Sequence, residues 1–378
     1  MDFNFTSEQE RLRKSARDFL KTECPSSFVL EMEADKTGYS PELWRKMQEL
    51  DWMALIIPEQ YDGVGGEFLD LMIMLEEMGR ACTPGPFFST IVLGGLSIMD
   101  WGNESQKKRF LPGIANGEIK ITLADSEPET TRYSPYPIST VVTVQDTGYT
   151  INGTKLFVQD AEVADYMLVS TRTFDSGSIR DGISLFIVDA KSPGISLTPL
   201  QTIGGDKQYE VVFDEVKVLE ADILGGVYDG GRQLDSILQK ATVCKCAEMV
   251  GGGQMVLEMA TEYAKERKQF GKPIGAYQAI QHHCANMLID VESSRFITYK
   301  TAWMVSQNLP CVKQVAITKA WVSDRYKNVA GLGHQVQGAA AYIIEHAMPL
   351  YSRRASASAV AFGDSNYCRQ VVASELGI

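Results

Sequence analysis

The run Ala264-Lys-Glu-Arg267-Lys-Gln-Phe270-Gly271-Lys-Pro273-Ile-Gly-Ala-Tyr277-Gln278 decides how the chain is read. Lys265, Arg267 and Lys268 stand where a helix ends, and cations there suit the negative end of the helix dipole. Gly271 can take the left-handed conformation of a C′ residue, and Pro273 just beyond cannot continue a helix. Local rules therefore predict a helix end, a tight connection and a new helix. Apolar residues at helical spacing flank the run on both sides: Val256, Met259 and Tyr263 before it, Ile280, Cys284, Met287 and Val291 after it. Three or four helices of this length imply a bundle over residues 229–378. Gly251-Gly252-Gly253 inside the first of them costs about 1 kcal/mol per residue relative to Ala, which close helix packing would offset.

Upstream, residues 1–117 also read as helical. Thr6 is a plausible N-cap with Gln9 at the capping-box position. Ser40 precedes Pro41 at the first helical position, and Leu69 to Ala81 is a further helix. The glycines of Ile57-Pro-Glu-Gln-Tyr-Asp-Gly63-Val-Gly65-Gly66 suggest a phosphate cradle, but no strand–G-x-G-x-x-G–helix order or Walker lysine accompanies them. They read as a turn-rich loop. Near Ile119 the period changes from 3.6 to 2. Val141–Val144 and Tyr149–Ile151 run up to Asn152-Gly153, a strong hairpin signal. Strand-like runs follow at Tyr166–Thr171, Ile183–Val188 and Tyr209–Phe213. Residues 118–228 are thus expected to form an antiparallel barrel or sandwich.

Composition bounds the function. The net charge of −12 disfavours nucleic acid as a partner, because phosphate neutralisation needs a concentrated basic surface. No apolar run reaches the roughly 18–20 residues needed to cross a bilayer. The opening Met-Asp-Phe-Asn-Phe lacks a secretory pattern. Seven cysteines without a C-x-x-C pair argue against a disulfide framework or zinc site and for a reducing, cytoplasmic setting. His282 and His283 are adjacent and point about 100° apart on a helix, so they cannot share a metal as an i, i+4 pair could. Cys244 and Cys246, two residues apart on a helix, read as packing.

The opening run is similar to the acyl-CoA dehydrogenase signature, in which R-x-x-F-G precedes a helix bearing an aromatic-Gln pair. Arg267, Phe270, Tyr277 and Gln278 occupy those positions. The resemblance extends through Phe110-Leu-Pro112, Asn152-Gly-Thr-Lys155, Val212-Phe-Asp214 and Leu224-Gly225, in the family's order. It implies an N-terminal helical domain, a middle β domain and a C-terminal four-helix bundle. It also implies FAD, an acyl-CoA substrate, an electron-transfer flavoprotein as acceptor, and a flavin site built across a subunit boundary. In the family the Arg and Gln reach the FAD of the neighbouring subunit, and a guanidinium suits phosphate oxygens because its fork stays charged. By the same resemblance Ser126, in Asp125-Ser-Glu-Pro128, and Phe157 and Gln159, in Lys155-Leu-Phe-Val-Gln-Asp160, would lie against the flavin ring. Gln335 and Gly338, in Gln335-Val-Gln-Gly338-Ala-Ala-Ala-Tyr342, would complete the cofactor site.

Three departures stand out. The A-G-S-D that usually follows the Ser-Glu-Pro element is replaced by Glu129-Thr-Thr-Arg132. Two glycines of the Q-x-x-G-G-x-G run are Ala339 and Ala341, and each lost Gly adds a Cβ where backbone approaches the dinucleotide. The usual catalytic Glu is Phe362, downstream of Arg353-Arg354-Ala355-Ser356 where relatives read R-D-A-R, and the alternative Glu position on the first bundle helix is Ala241. Neither can take a proton. Asp364 is the nearest carboxylate, and it could equally cap the helix that follows. The expectation is an acyl-CoA dehydrogenase acting as one subunit of a hetero-oligomer whose homologous partner supplies the base. The alternatives are a self-sufficient homo-oligomer using Asp364, or a non-catalytic subunit that binds acyl-CoA or only its partner.

Overall fold

The computed structural model describes residues 5–129, 138–145, 148–174, 180–343 and 346–378. Six helices come first: α1 (Ser7–Glu23), α2 (Ser26–Ala34), α3 (Pro41–Gln48), α4 (Phe68–Ala81), α5 (Leu96–Trp101) and α6 (Glu104–Ala115). Their ends follow local chemistry. The Thr6 hydroxyl accepts the Gln9 N–H, and the Gln9 side chain accepts the Thr6 N–H in return. Ser40 caps α3 ahead of Pro41. Between α4 and α5 the buried segment Phe88–Gly95 is a π-helix, which the sequence did not announce because it is apolar without a clear period.

The middle layer is one seven-stranded sheet: β1 (Ile121–Ala124), β2 (Val141–Gln145), β3 (Gly148–Gln159), β4 (Tyr166–Arg172), β5 (Ile183–Asp189), β6 (Ile195–Leu200) and β7 (Gln208–Val218). Its order is β1-β4-β2-β3-β7-β6, with β5 on the other side of β4. Two expectations are corrected here. The sheet is not wholly antiparallel, because β1 runs parallel to β4 over four residue pairs. Asn152-Gly153 is not a hairpin turn but lies inside β3, which pairs with β2 from Gln145/Gly148 up to Val141/Asn152. The pair marks a bulge, with the β3–β7 register shifting between Ile151 and Gly153. The Asn152 amide is used there to bind both the backbone N–H and the carboxylate of Glu215, whose own φ is positive.

The last third is helical: α7 (Gly230–Glu266), α8 (Gln278–Ser306), α9 (Val312–Gln337), α10 (Ala347–Val360) and α11 (Ser365–Glu375). The glycine triplet on α7 is packing, as its cost required. A Cβ on Gly251 would sit 1.8 Å from the Glu76 carbonyl oxygen of α4, and one on Gly252 would sit 2.2 Å from the Tyr326 hydroxyl of α9. Gly79 of α4 meets the Glu248 carbonyl of α7 at 2.0 Å in the same sense. Small residues on both helices thus bring α4 against α7, which fixes the N-terminal helices on the bundle. The helix before the opening run ends at Glu266, earlier than a C′ glycine at 271 implies. Lys268–Gln269 and Lys272–Pro273 form a short hairpin instead, and Phe270 and Gly271, both with positive φ, make its turn.

Candidate functional site

A cavity of about 140 Å³ lies where these layers meet. Its wall comes from α2, the α4–π-helix junction, the end of β3, the β6–β7 turn, α7 and α10. Gln159 at the end of β3 lines it, opposite Ala357, Ser358 and Ala361 of the α10 end. A larger recess of about 520 Å³ between α1 and α8 contains none of the catalytic or cofactor residues expected from the sequence. The small side chains on α10 leave room, and the next residue, Phe362, is not itself part of the lining. Its ring stacks on Phe88 at 5.9 Å between centroids, and Lys245 Nζ stands over Phe88 at 3.9 Å. The residue that the resemblance sets at the base position is therefore packed on an aromatic ring of the cavity wall. Ala241, the alternative position, is wholly buried in the main core.

Asp364 serves as N-cap of α11, its Oδ1 accepting the Tyr367 N–H at 2.7 Å. It is not among the residues lining the cavity.

The strand residues are brought together firmly. Leu156 donates its N–H to the Ser126 carbonyl at 2.9 Å, tying the Ser-Glu-Pro loop to β3. Beneath it Lys155 and Glu127, both buried, form an ion pair at 2.6 Å, and Lys155 also reaches the Ser170 hydroxyl. Burial works against ionising Glu127. The Lys155 charge, with hydrogen bonds from Lys155, Ser139 and Thr140, outweighs that and holds the carboxyl at about 2. The same burial makes Lys155 easier to deprotonate than a free lysine. Phe157, with positive φ, is turned outward and is 59% exposed. Of the Glu129–Arg132 replacement only Glu129 lies within the described residues.

Arg267, Phe270 and Gln278 form a second set on the α7–α8 connection. Phe270 is 93% exposed, and Arg267 and Gln278 are exposed as well. The hairpin is held by its own parts: Tyr277 donates to the Gln269 carbonyl, stands edge-on to Phe270, and lies beneath Lys272 Nζ at 4.3 Å. Among the described residues no hydrogen bond joins this set to Ser126, Phe157 or Gln159 in the same chain. Gln335 is exposed near the end of α9, and Gly338 ends that helix with φ 63° and open space where a Cβ would stand. Ala341 points into the core, so its extra methyl does not face outward; Ala339 is exposed and does. Sequence reasoning gave no role to Asp160, Lys245 or Glu248, which line the cavity. The one available signal was Arg354, a cation where the R-D-A-R element has an acid.

Comparison with known proteins places this geometry. The acyl-CoA dehydrogenase N-terminal, middle and C-terminal domain models match residues 6–118, 122–216 and 229–377. The chain is 30% identical to the probable acyl-CoA dehydrogenase YngJ of Bacillus subtilis, over the full length of both. The chain belongs to the acyl-CoA dehydrogenase family. It superposes on the butyryl-CoA dehydrogenase of Megasphaera elsdenii with a TM-score of 0.92 at 28% identity, covering all of both chains. It is 28% identical to CarC, a subunit of the caffeyl-CoA reductase–Etf complex of Acetobacterium woodii, over 98% of this chain and 99% of that one. It is an acyl-CoA dehydrogenase-type flavin oxidoreductase with FAD as cofactor. The residues present fit that group. Phe157 and the Arg267–Gln278 hairpin offer aromatic, guanidinium and amide groups that the chain itself leaves uncovered, and no Cβ obstructs Gly338. Among the described residues, no helix is long and apolar enough to cross a membrane.

Proposed function

We propose that this chain catalyses α,β-dehydrogenation of an acyl-CoA thioester as one subunit of a hetero-oligomer. In this reading the chain holds the acyl group and part of the FAD, and a homologous partner contributes the base. The observation that carries it is the exposed hairpin: a phenyl ring 93% open to solvent beside an unpaired guanidinium is a surface built to be covered. FAD, when bound, supplies the hydride acceptor. Ser126, Phe157 and Gln159 would hold its ring from one protomer, and Arg267, Phe270 and Gln278 would reach it from the neighbour, with Gln335 and Gly338 at the dinucleotide. The proton leaving the α-carbon needs a carboxylate, and both usual positions lack one, which is the reason for assigning it to the partner. CarC belongs to an Etf complex, and an electron-transfer flavoprotein is the acceptor that fits here too.

The test is to purify the chain alone and with its homologous partner, then follow flavin absorbance and its bleaching by acyl-CoA. Bleaching only in the mixed assembly supports the pairing, and full activity of the chain alone refutes it. Asp364 is separable by substitution. Asn caps helices as well as Asp does, so Asp364→Asn is expected to leave melting temperature and bleaching unchanged. Abolished bleaching with flavin still bound would instead make Asp364 the base and the chain self-sufficient.

A further inference from the structure

On the dehydrogenase reading the cavity takes the acyl group, and its lining carries many charged side chains. Acidic and basic side chains reach it from α2, β3, the β6–β7 turn, α7 and α10. Most are committed to partners. Glu248 pairs with Lys245, Glu33 with Arg353, and Asp206 with the Thr202 hydroxyl and the Gln208 amide. Glu33 Oε1 and Arg354 Nε also lack a hydrogen bond, but both atoms are closed off from solvent; Asp160 differs from them. Its Oδ2 accepts the Ser89 hydroxyl at 2.6 Å, and Oδ1 makes no hydrogen bond while the side chain keeps surface open to the cavity. Burial pushes this carboxyl up to about 6, the sign of an acceptor short of solvation.

An alkyl tail filling the space would strip solvent from Oδ1 and offer nothing in return, which is the costly arrangement for a buried acceptor. The occupant must therefore bring a donor. The charged groups that act on Asp160 are Asp206, Lys245 and Arg354. The two cations disfavour an ammonium, and Asp206 together with Asp160 disfavours a carboxylate. A neutral hydroxyl meets both conditions, and Ala357, Ser358 and Ala361 leave the width for it. We propose that the substrate of this chain is a hydroxylated acyl thioester whose hydroxyl donates to Asp160 Oδ1. The proposal rests on the dehydrogenase reading and adds to it the class of acyl group.

The test uses the FAD-loaded protein and pairs of acyl-CoAs in which a terminal methyl is exchanged for a hydroxyl, such as heptanoyl-CoA against 6-hydroxyhexanoyl-CoA, with shorter pairs placing the hydroxyl nearer the thioester. Dissociation constants are read by calorimetry, with propionyl-CoA, the shortest chain and one without a hydroxyl, as the reference ligand. At one chain length the hydroxyl compound is expected to bind at least about 10-fold more tightly than its methyl partner. Asp160→Leu should erase or reverse that preference and leave propionyl-CoA affinity unchanged. If the leucine variant fails to fold, Asp160→Asn keeps the shape and the Ser89 contact with a neutral acceptor, and should shrink the preference. Equal or tighter binding of the methyl compound at every length, or a preference that survives in the folded variants, overturns the inference while leaving the dehydrogenase reading intact. Failure of every thioester, propionyl-CoA included, to bind overturns both.

Discussion

Lys155→Met is expected to destabilise the middle domain by about 3–5 kcal/mol, the effect of leaving one partner of a buried ion pair uncompensated. Neither Lys155 nor Glu127 has meaningful access to water, and Glu127 collects the backbone N–H groups of Ser139 and Thr140 as well as the lysine. Removing the cation leaves that carboxylate desolvated beside Asp125, whose own ionisation burial already opposes. Urea unfolding followed by hydrogen exchange in β3 and β7 measures the loss. Lys155→Met with Glu127→Leu should recover much of it, because exchanging a whole buried pair for apolar groups is tolerated better than breaking one. The pH dependence has a definite sign. A carboxyl held at about 2 in the fold and near 4.3 when unfolded adds stability above pH ~4.3, and that contribution fades as pH falls toward 2. The wild type should lose middle-domain stability through that window, and the Lys155→Met variant much less. The consequence for the site is direct, since Glu127 adjoins Ser126 and Lys155 adjoins the strand end that carries Phe157. A wild-type-like melt for Lys155→Met would remove the ion pair as the anchor of the Ser126 loop.

What the sequence made legible divides by the range of the interaction. Thr6 with Gln9, and Ser40 with Pro41, are decided within four residues, and both caps form as expected. The glycine triplet on α7 could be read as a packing site from its propensity cost alone, although nothing in the sequence named Glu76 and Tyr326 as what it packs against. Asn152-Gly153 misled for the opposite reason. Asn-Gly favours positive φ and tight turns, but the pairing of β3 with both β2 and β7 overrode local preference and used the same residues for a bulge. The residues proposed to face the cofactor could be named only through the spacing of family motifs. Asp160 and Arg354 were quoted within such motifs and passed over, because a carboxylate open to a cavity is a fact about five elements meeting, and no window of sequence contains all five.

Arg267→Leu is expected to weaken FAD binding by about 10- to 100-fold, the loss of charge-assisted hydrogen bonds worth about 1.5–3 kcal/mol. The side chain is exposed and makes no hydrogen bond or ion pair with the described residues, so the variant should fold and melt as the wild type does. That separates ligand loss from misfolding, a distinction the Lys155 variant cannot offer. Arg267→Lys is the informative companion: it keeps the charge and loses the planar fork, and should fall between the other two. Fluorescence titration of the flavin-stripped assembly gives the affinities, and sedimentation shows whether the oligomer persists. Mixing supplies the decisive arm. If the guanidinium acts across the boundary, assemblies carrying Arg267→Leu in one chain type lose FAD from sites formed with that chain as neighbour, while the sites it frames with its own Ser126, Phe157 and Gln159 keep theirs whenever the neighbour retains its arginine. Loss confined to the mutated chain's own strand-framed sites would place the grip within one protomer, and unchanged affinity in every mixture would remove Arg267 from the cofactor altogether.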